Sequence, residues 1–275
     1  MFEFAKDCVK NALNARTRFA PVSIAFQPIV DASSARVWGY EALTRGAAGQ
    51  SYPEMVAGMD DRKRMAFDKV TMVKALREAA RLGLTRDGAK LTLNVRPTVN
   101  LAAVDAAFVA RAARHYGIPL GAIVLELTED ATLSCEDFNK VMVLHRSLGI
   151  ATGIDDFGSG YSGLNVLATC GADLVKLDQH LIRGIDTDPK RQIIVEAFAS
   201  LCSKLGSVVV AEGVETQAEA EVLRKQGIQL MQGYYFGRPT VGEPAVLRLE
   251  IGDEGQQRNW VVPFQPWGEP VTRPA

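Results

Sequence analysis

The amino-acid sequence predicts an α/β fold, specifically a TIM-like (β/α)8 barrel whose first strand pair is antiparallel. Three observations lead to this expectation. The chain has 275 residues, close to the roughly 250 residues typical of one such barrel. Eight short runs rich in Val, Ile and Leu recur along it, and several are separated by segments in which apolar residues have helical spacing. Strands that alternate with helices favour a parallel sheet, and eight of them favour a closed barrel.

The first two predicted strands, at 23–30 and 37–43, are joined by only a short turn that begins at Asp31. This turn is too short for a crossover helix, so we expect the pair to be antiparallel. The other six runs lie at 90–95, 122–127, 151–156, 173–178, 207–212 and 229–236. Five of the intervening helices are predicted to end at a glycine, because glycine adopts the left-handed conformation of a helix end without strain. These are Gly83, Gly117, Gly149, Gly206 and Gly227.

The two ends of the chain differ from the region between them. We expect a leading helix over 1–20, the barrel domain over 20–245 and a C-terminal extension over 246–275, in which prolines accompany Trp260 and Trp267. The first 20 residues mix acidic and basic side chains without an apolar segment, and no later apolar run approaches the roughly 18 residues of a membrane helix. The expected location is therefore the cytoplasm.

The composition excludes several classes of partner. The 31 Lys and Arg residues nearly balance the 32 Asp and Glu residues, for a net charge of −1. Such a chain has no overall field that would recruit DNA, RNA or an anionic membrane, and we expect none of these as partners. The four cysteines, Cys8, Cys135, Cys170 and Cys202, have no CxxC spacing and are expected to be free thiols.

Polar residues close the predicted strands. They are Gln27, Glu41, Asn94, Glu126, Asp155, Asp156, Lys176, Glu212 and Gln232. In a barrel the carboxyl ends of the strands meet at one face, so the five carboxylates should repel one another by several kcal/mol unless positive charge lies between them. Lys176 alone cannot balance them, whereas one or two Mg²⁺ or Mn²⁺ ions can, because these ions prefer oxygen ligands.

The adjacent pair Asp155 and Asp156 is suited to bridge two ions about 3.5 to 4 Å apart. The residues thus predict a two-metal enzyme that transfers a phosphoryl group or cleaves a phosphodiester. Two alternatives fit the residues less well, because Asp155 and Asp156 would lie beside a dinucleotide pyrophosphate and because Asn94, Lys176 and the paired aspartates suit metal ions better than a glycosidase. The loop from Gly158 to Gly163, with Asp178 about 20 residues beyond Gly158, matches a dinucleotide-binding fingerprint. Paired carboxylates at strand ends also occur in glycosidases.

The ordered motifs of the chain carry a family resemblance. They are YEALTR with Glu41, preceded by FQPIVD, then LNVRP, LELTED, DDFGSGYSGL, VKLD, AEGVET and QGYYFGRP. Over roughly residues 20–240 this set resembles the EAL-domain family, phosphodiesterases that open cyclic di-GMP to linear pGpG. The alternative interpretation is an EAL domain that is catalytically silent and only senses cyclic di-GMP.

The resemblance implies a role for each matching residue. One cation would be held by Glu41, Asn94, Glu126 and Asp155, and the other by Asp155, Asp156 and Glu212. Lys176 would orient the attacking water, which places it with Glu41, Asp155 and Glu212 among the catalytic residues. Substrate contact or pocket support falls to Gln27, Leu43, Arg45, Asp178, Glu215 and Gln232, and Glu129 would anchor the glycine-rich loop. A homodimer and an upstream sensory or GGDEF-type partner are also implied.

Overall fold

The computed structural model describes residues 19–96, 99–128, 134–160 and 163–244. Residues 1–18 of the expected leading helix and the whole expected extension over 246–275 lie outside these ranges, so the predicted domain boundaries stay predictions. Glu129, the predicted loop anchor, also lies outside them. Among the described helices, none combines the length and the apolar character needed to cross a membrane.

The strands close into the predicted barrel. Their bounds are β1 Val22–Asp31, β2 Arg36–Gly46, β3 Lys90–Asn94, β4 Ile123–Thr128, β5 Ala151–Phe157, β6 Leu174–Leu177, β7 Val208–Ala211 and β8 Leu230–Met231. From β2 to β8 each strand pairs in parallel with the next, and β1 pairs with both β2 and β8 to complete the ring. As predicted, β1 and β2 are antiparallel, with Gln27 opposite Glu41.

Helices surround the barrel on the outside. They are α1 Tyr52–Val56, α2 Asp61–Leu82, α3 Val99–Tyr116, α4 Cys135–Ser147, α5 Gly163–Cys170, α6 Gln179–Ile182, α7 Pro189–Leu205 and α8 Gln217–Lys225, and a short 3₁₀ turn, Leu120–Ala122, precedes β4. Asp60 begins α2 by accepting a hydrogen bond from the Lys63 amide at 2.8 Å. The five predicted end-capping glycines all have a positive φ, between 69° and 86°.

The predicted strand over 229–236 is wrong in its extent, because β8 ends at Met231. The chain turns at Gly233, where an added Cβ atom would lie 2.0 Å from the carbonyl oxygen of Val214. Only glycine permits that approach, and the amides of Phe236 and Gly237 then fold back onto the Gly233 carbonyl oxygen at 3.1 Å. A ninth strand that the sequence did not predict, β9 Thr240–Val241, follows this turn and pairs with β1.

The barrel interior consists of an apolar layer beneath a polar one. The apolar layer is the cluster Ile29, Val124, Ala151, Leu174, Val210 and Leu230. Side chains two residues apart on a strand face the same side. Lys176 therefore lies above Leu174, Glu212 above Val210 and Gln232 above Leu230, so the period of the strands brings these polar groups to one face of the barrel.

Candidate metal-binding and active site

Lys176 lies at the centre of the polar layer, and its side chain is only 1% exposed. Four carboxylates surround its ammonium nitrogen, Nζ, and each belongs to a different strand or directly follows one. The distances are 2.6 Å to Glu212 Oε1, 3.0 Å to Asp155 Oδ1, 3.2 Å to Glu41 Oε2 and 3.4 Å to Glu126 Oε2. The structure thus brings four of the five predicted strand-end carboxylates together around one ammonium group.

Side-chain amides hold the Glu41 carboxylate from both sides. Asn94 donates from Nδ2 to Glu41 Oε1 at 3.0 Å, which leaves the amide oxygen of Asn94 for another partner. Gln232 donates from Nε2 to Glu41 Oε2 at 2.7 Å and also to Gln27 Oε1 at 3.1 Å. Gln27 in turn donates to the carbonyl oxygen of Gly237 at 3.2 Å.

The backbone explains how two adjacent aspartates reach the same site. In a regular strand Asp155 and Asp156 would point to opposite faces. The pairing of β5 with β6 shifts register between Ile154 and Phe157, and Asp156 has a φ of 55°, in the left-handed region. Aspartate tolerates this region better than most residues do. The resulting bend turns the Asp156 carboxylate toward the groups that surround Asp155.

The carboxylates form two overlapping groups with the spacing of metal ligands. Oxygen atoms of Glu41, Glu126 and Asp155 lie within 4.8 Å of one another, and so do those of Asp155, Asp156 and Glu212. Asp155 belongs to both groups, as expected for a residue that bridges two ions. Five carboxylates and one ammonium group carry a formal charge of −4, which two divalent cations would neutralise.

One buried oxygen atom of Glu126 is suited to meet a cation. Its side chain is fully buried, yet Oε1 has no hydrogen-bond partner among the described residues. A buried carboxylate oxygen without a partner costs free energy unless a proton or a metal ion meets it. The donors around it are oxygens only, the set that Mg²⁺ and Mn²⁺ prefer.

The pKa values of the cluster reflect crowding without metal ions. Burial, together with the neighbouring carboxylates, holds the pKa of Glu126 well above its usual value. The same causes raise the pKa of Glu212 to about 8 and that of Asp156 to about 6. Burial also acts on Glu41, but Lys176 and the amide hydrogen bonds outweigh it, so its pKa is lowered. The pKa of Lys176 is raised well above its usual value despite burial, since the carboxylates stabilise its charge.

Two cavities open beside the acidic cluster. The first cavity has a volume of about 230 Å³ and lies between Glu212, Asp178 and Tyr234. The second cavity has a volume of about 370 Å³ and lies between Asn94, Arg45 and the inner face of α2. Leu43 and Asp156 line both. The two cavities therefore meet over the carboxylates.

The residues that the resemblance assigned to substrate line one cavity or both. Gln27, Asp178, Glu215 and Gln232 line the first cavity, Arg45 lines the second, and Leu43 lines both. Two of these side chains also have structural partners. Asp178 begins α6 by accepting from the His180 amide at 2.8 Å, and Glu215 pairs with Arg183 at 2.7 Å.

Sequence reasoning missed several cavity residues. Arg183 lines the first cavity. The second contains a partly buried network in which Asp68 lies 2.6 Å from the Tyr52 hydroxyl and 2.7 Å from Arg96 Nε. The three side chains of this network come from α1, α2 and the loop after β3. No motif or spacing links them in the sequence, because only the closure of the barrel brings them together.

Two buried side chains outside the acidic cluster, His145 and Cys202, have structural roles. His145 is fully buried and its Nδ1 lies 2.9 Å from the Thr152 hydroxyl. Cys202 is buried as a free thiol, and burial raises its pKa to about 12. Asp155 and Asp156 directly precede the glycine-rich loop, and their negative charge disfavours a dinucleotide pyrophosphate at that point.

Comparison with known proteins identifies the relatives of this chain. The EAL domain family matches residues 10–239. A probable cyclic di-GMP phosphodiesterase of Escherichia coli K12 is 31% identical over 227 residues, which cover 78% of this chain and 43% of that protein. A cyclic di-GMP phosphodiesterase of Pseudomonas aeruginosa is 30% identical over 231 residues, 80% of this chain and 38% of that protein. The chain thus spans less than half the length of these curated relatives.

Solved structures of related proteins have the same fold as this chain. A standalone EAL protein of Vibrio cholerae O395, bound to cyclic di-GMP, is 39% identical, with a TM-score of 0.73 over 80% of this chain and 92% of that one. A Klebsiella pneumoniae protein in complex with calcium and cyclic di-GMP is 33% identical, with a TM-score of 0.76 over 82% of this chain and 58% of that one. A manganese complex of the same Klebsiella protein is 34% identical, with a TM-score of 0.74 over 80% of this chain and 56% of that one.

Proposed function

Since the chain belongs to the EAL domain family, we propose that it hydrolyses cyclic di-GMP to linear 5′-pGpG in a reaction that depends on two divalent cations, Mg²⁺ or Mn²⁺. The observation that carries the proposal is the pair of carboxylate groups that share Asp155 around a buried lysine. A purely binding domain has no need of five crowded carboxylates, three of which, Glu126, Asp156 and Glu212, have raised pKa values, because such crowding costs free energy unless cations compensate it.

The ligand assignment is the one that the family resemblance implies, and the two carboxylate groups support it. Glu41, Asn94, Glu126 and Asp155 would hold the first cation, and Asp155, Asp156 and Glu212 the second. When bound, two divalent cations supply a nucleophilic water at neutral pH and stabilise the charge that develops on the phosphate. Raised pKa values at Glu126 and Glu212 mean that cation binding displaces protons from the cluster.

The two cavities suit a ligand with two similar halves. Cyclic di-GMP contains two guanosine units joined by two phosphates, and the cavities meet above Asp156 with room on each side. Arg45 in the second cavity would bind a phosphate or a base edge, since a guanidinium presents several N–H donors. The volumes of about 230 and 370 Å³ approach the size of ordinary small-molecule sites.

The proposed reaction is an in-line displacement at phosphorus. The oxygen of a water molecule bonds to phosphorus, the bond to the ribose 3′ oxygen breaks, and that oxygen leaves with a proton as a 3′ hydroxyl. The product keeps the phosphate on its 5′ oxygen. Lys176 Nζ, which already lies within 3.4 Å of four carboxylates, would donate a hydrogen bond that orients the water.

The decisive experiment incubates the chain with cyclic di-GMP and follows the appearance of pGpG by chromatography and mass spectrometry. Turnover is expected with Mg²⁺ or Mn²⁺ and should stop in excess EDTA. Ca²⁺ should support binding without efficient turnover, because its larger radius and looser geometry misplace the water. In water enriched in ¹⁸O, one heavy oxygen should enter each 5′ phosphate.

A matched pair of variants separates the site from the scaffold. Glu41→Gln should abolish turnover, whereas Glu221→Gln, an exposed carboxylate on α8, should leave it unchanged. Cyclic di-GMP binding without any cleavage would instead favour the silent receptor. Undiminished turnover in EDTA would exclude the two-cation reaction. The homodimer, an upstream partner domain and the cytoplasmic location remain predictions that these experiments do not address.

A further inference from the structure

A continuous chain of amide hydrogen bonds connects the turn after β8 to the Glu41 carboxylate. The carbonyl oxygen of Gly237 accepts from Gln27 Nε2 at 3.2 Å, and Gln27 Oε1 accepts from Gln232 Nε2 at 3.1 Å. The second N–H of the same Gln232 amide is directed at Glu41 Oε2, 2.7 Å away. We call this chain from Gly237 to Glu41 the amide relay.

The relay has a fixed direction. Gln27 and Gln232 are only 8% and 4% exposed, so their amide groups have little opportunity to form hydrogen bonds with water instead. If the Gln232 amide were reversed, its oxygen would face the negative Glu41 carboxylate, which is unfavourable. The other N–H of Gln232 Nε2 therefore needs an acceptor, and Gln27 Oε1 is that acceptor. The carbonyl oxygen of Gly237 fixes the Gln27 amide in the same way.

The relay also determines which lone pairs of Glu41 remain available. A carboxylate offers about four lone-pair sites on its two oxygens. Oε2 accepts from Gln232 and contacts Lys176 at 3.2 Å, whereas Oε1 accepts only from Asn94 among the described residues. Oε1 thus keeps the capacity to meet a cation, on the side where the Asn94 amide oxygen is also available.

From this geometry we propose that Gln27 is a positioning residue, which acts through Gln232 to orient the Glu41 carboxylate for the first divalent cation. The inference rests on the proposed function in that it assigns Glu41 to a cation. It differs from the role that the resemblance implied for Gln27, which was contact with the substrate. A substrate contact and a positioning role predict different measurements.

The test is a double-mutant cycle read by Mn²⁺ titration without substrate, using electron paramagnetic resonance to count free ions. Gln27→Met and Gln232→Met keep the side-chain size and remove the amide. Each should weaken binding of the first Mn²⁺ by about tenfold to a hundredfold, the usual effect of losing a group that orients a metal ligand. Because Gln27 acts only through Gln232, Gln27→Met should have no further effect in the Gln232→Met background.

Steady-state kinetics supply the second readout. In Gln27→Met, kcat should be lower than in the wild type at limiting Mn²⁺ and should return to the wild-type value at saturating Mn²⁺. KM for cyclic di-GMP should be unchanged. Gln192→Met is the matched control, because it removes a partly buried amide that donates to the Ile185 carbonyl oxygen away from the cluster. That variant should retain wild-type Mn²⁺ affinity.

Three results would overturn the relay. These are unchanged Mn²⁺ affinity in Gln27→Met, additive effects in the double variant, or a raised KM for cyclic di-GMP as the only change. A wild-type chain that binds Mn²⁺ and does not cleave cyclic di-GMP would contradict the proposed function and leave the titration intact as a test of the relay. If the wild type bound no Mn²⁺, the relay and the cation site would both be excluded. Thermal unfolding of each variant shows whether a loss of affinity reflects a loss of fold.

Discussion

Lys176 Nζ lies 2.6 Å from Glu212 Oε1, the shortest of its four contacts with carboxylates. The two residues end neighbouring strands, because Lys176 pairs with Val210 in the β6–β7 register and Glu212 follows two positions later. Burial and the other carboxylates still raise the pKa of Glu212 to about 8. One lysine is therefore too little positive charge for this cluster, which is the electrostatic reason to expect cations in it.

Replacement of Lys176 by Met should destabilise the metal-free protein more than the Mn²⁺-bound protein. Without the ammonium group the buried carboxylates lose the positive partner that they share among the described residues. Removing one member of a buried ion pair typically costs about 3 to 5 kcal/mol. Bound cations compensate part of that loss. The measurement is chemical unfolding in EDTA and in Mn²⁺. Lys204→Met, an exposed lysine in the last turn of α7, is the control, and an equal loss in both conditions would contradict the prediction.

Glu126→Gln should separate stability from activity. The pKa of Glu126 is held well above its usual value by burial and by its neighbours, so burial disfavours the charged form of this side chain in the metal-free protein. Glutamine has nearly the same shape as the protonated acid. We expect the free energy of unfolding in EDTA to change by less than about 1 kcal/mol, while turnover is lost.

Cations should also stabilise the Glu126→Gln variant less than they stabilise the wild type. At 100 times the dissociation constant a bound ion adds about 2.7 kcal/mol to stability. Wild-type protein should gain stability of this order from Mn²⁺, and Glu126→Gln should gain clearly less, because one buried ligand oxygen now carries no charge. If Mn²⁺ shifted the unfolding midpoint equally in both proteins, Glu126 would not be a ligand of the cation.

Much of this site could be predicted from the sequence because strand geometry does the positioning. Side chains alternate along a strand, and parallel strands end together, so a polar residue that closes each apolar run must reach the same face. Glu41, Glu126 and Asp155 are brought together in this way. The antiparallel first pair was also predictable, since a turn of a few residues cannot carry a helix.

The parts that were missed depend on contacts between distant segments. β8 ends early because Gly233 packs against the Val214 backbone, and no local pattern reports that approach. The pairing of Asp68 with Arg96 requires α2 to pack beside the end of β3. The amide relay likewise joins residues more than 190 positions apart along the chain. Periodicity predicts which face a side chain occupies, but not its partner across the barrel.

Asp156→Asn should keep the fold and weaken the binding of one of the two cations only. Asparagine adopts a positive φ as readily as aspartate, so the bend at 55° should persist. The second group then loses one of its three carboxylates, while Glu41, Glu126 and Asp155 are untouched. Mn²⁺ titration should show one site with wild-type affinity and one that is weaker by at least about tenfold, with lower turnover.

Asp156→Ala serves as the comparison for the backbone. It removes the same carboxylate, and alanine is strained at a positive φ by about 1 to 2 kcal/mol. The alanine variant should therefore be less stable than the asparagine variant by about that amount and should show the same Mn²⁺ stoichiometry. Equal weakening of both Mn²⁺ sites by Asp156→Asn would indicate that the two groups do not act as separate sites.

Asp105 on α3 provides a prediction about pH that is independent of the acidic cluster. Its side chain is 2% exposed, and burial, followed by the charge of Asp68, raises its pKa from 3.8 to about 6. The folded protein therefore binds this proton more tightly than the unfolded chain does, so Asp105 costs stability as the pH rises above 3.8, and the full cost is reached above about 6. The increase in the pKa of Asp105 corresponds to a loss of at most about 3 kcal/mol in the free energy of unfolding.

Asp105→Asn removes that charge, so the variant should be more stable than the wild type at pH 7.5 by about 1 to 3 kcal/mol, and the difference should vanish below about pH 4. The comparison is made by urea unfolding of both proteins at the same pH values, which cancels the titration of all other groups. Asp87→Asn, at an exposed position, should show no such difference. A gain that persisted at pH 4 would mean that asparagine stabilises the site through hydrogen bonds rather than through loss of charge, since Asp105 Oδ1 lacks a hydrogen-bond partner among the described residues.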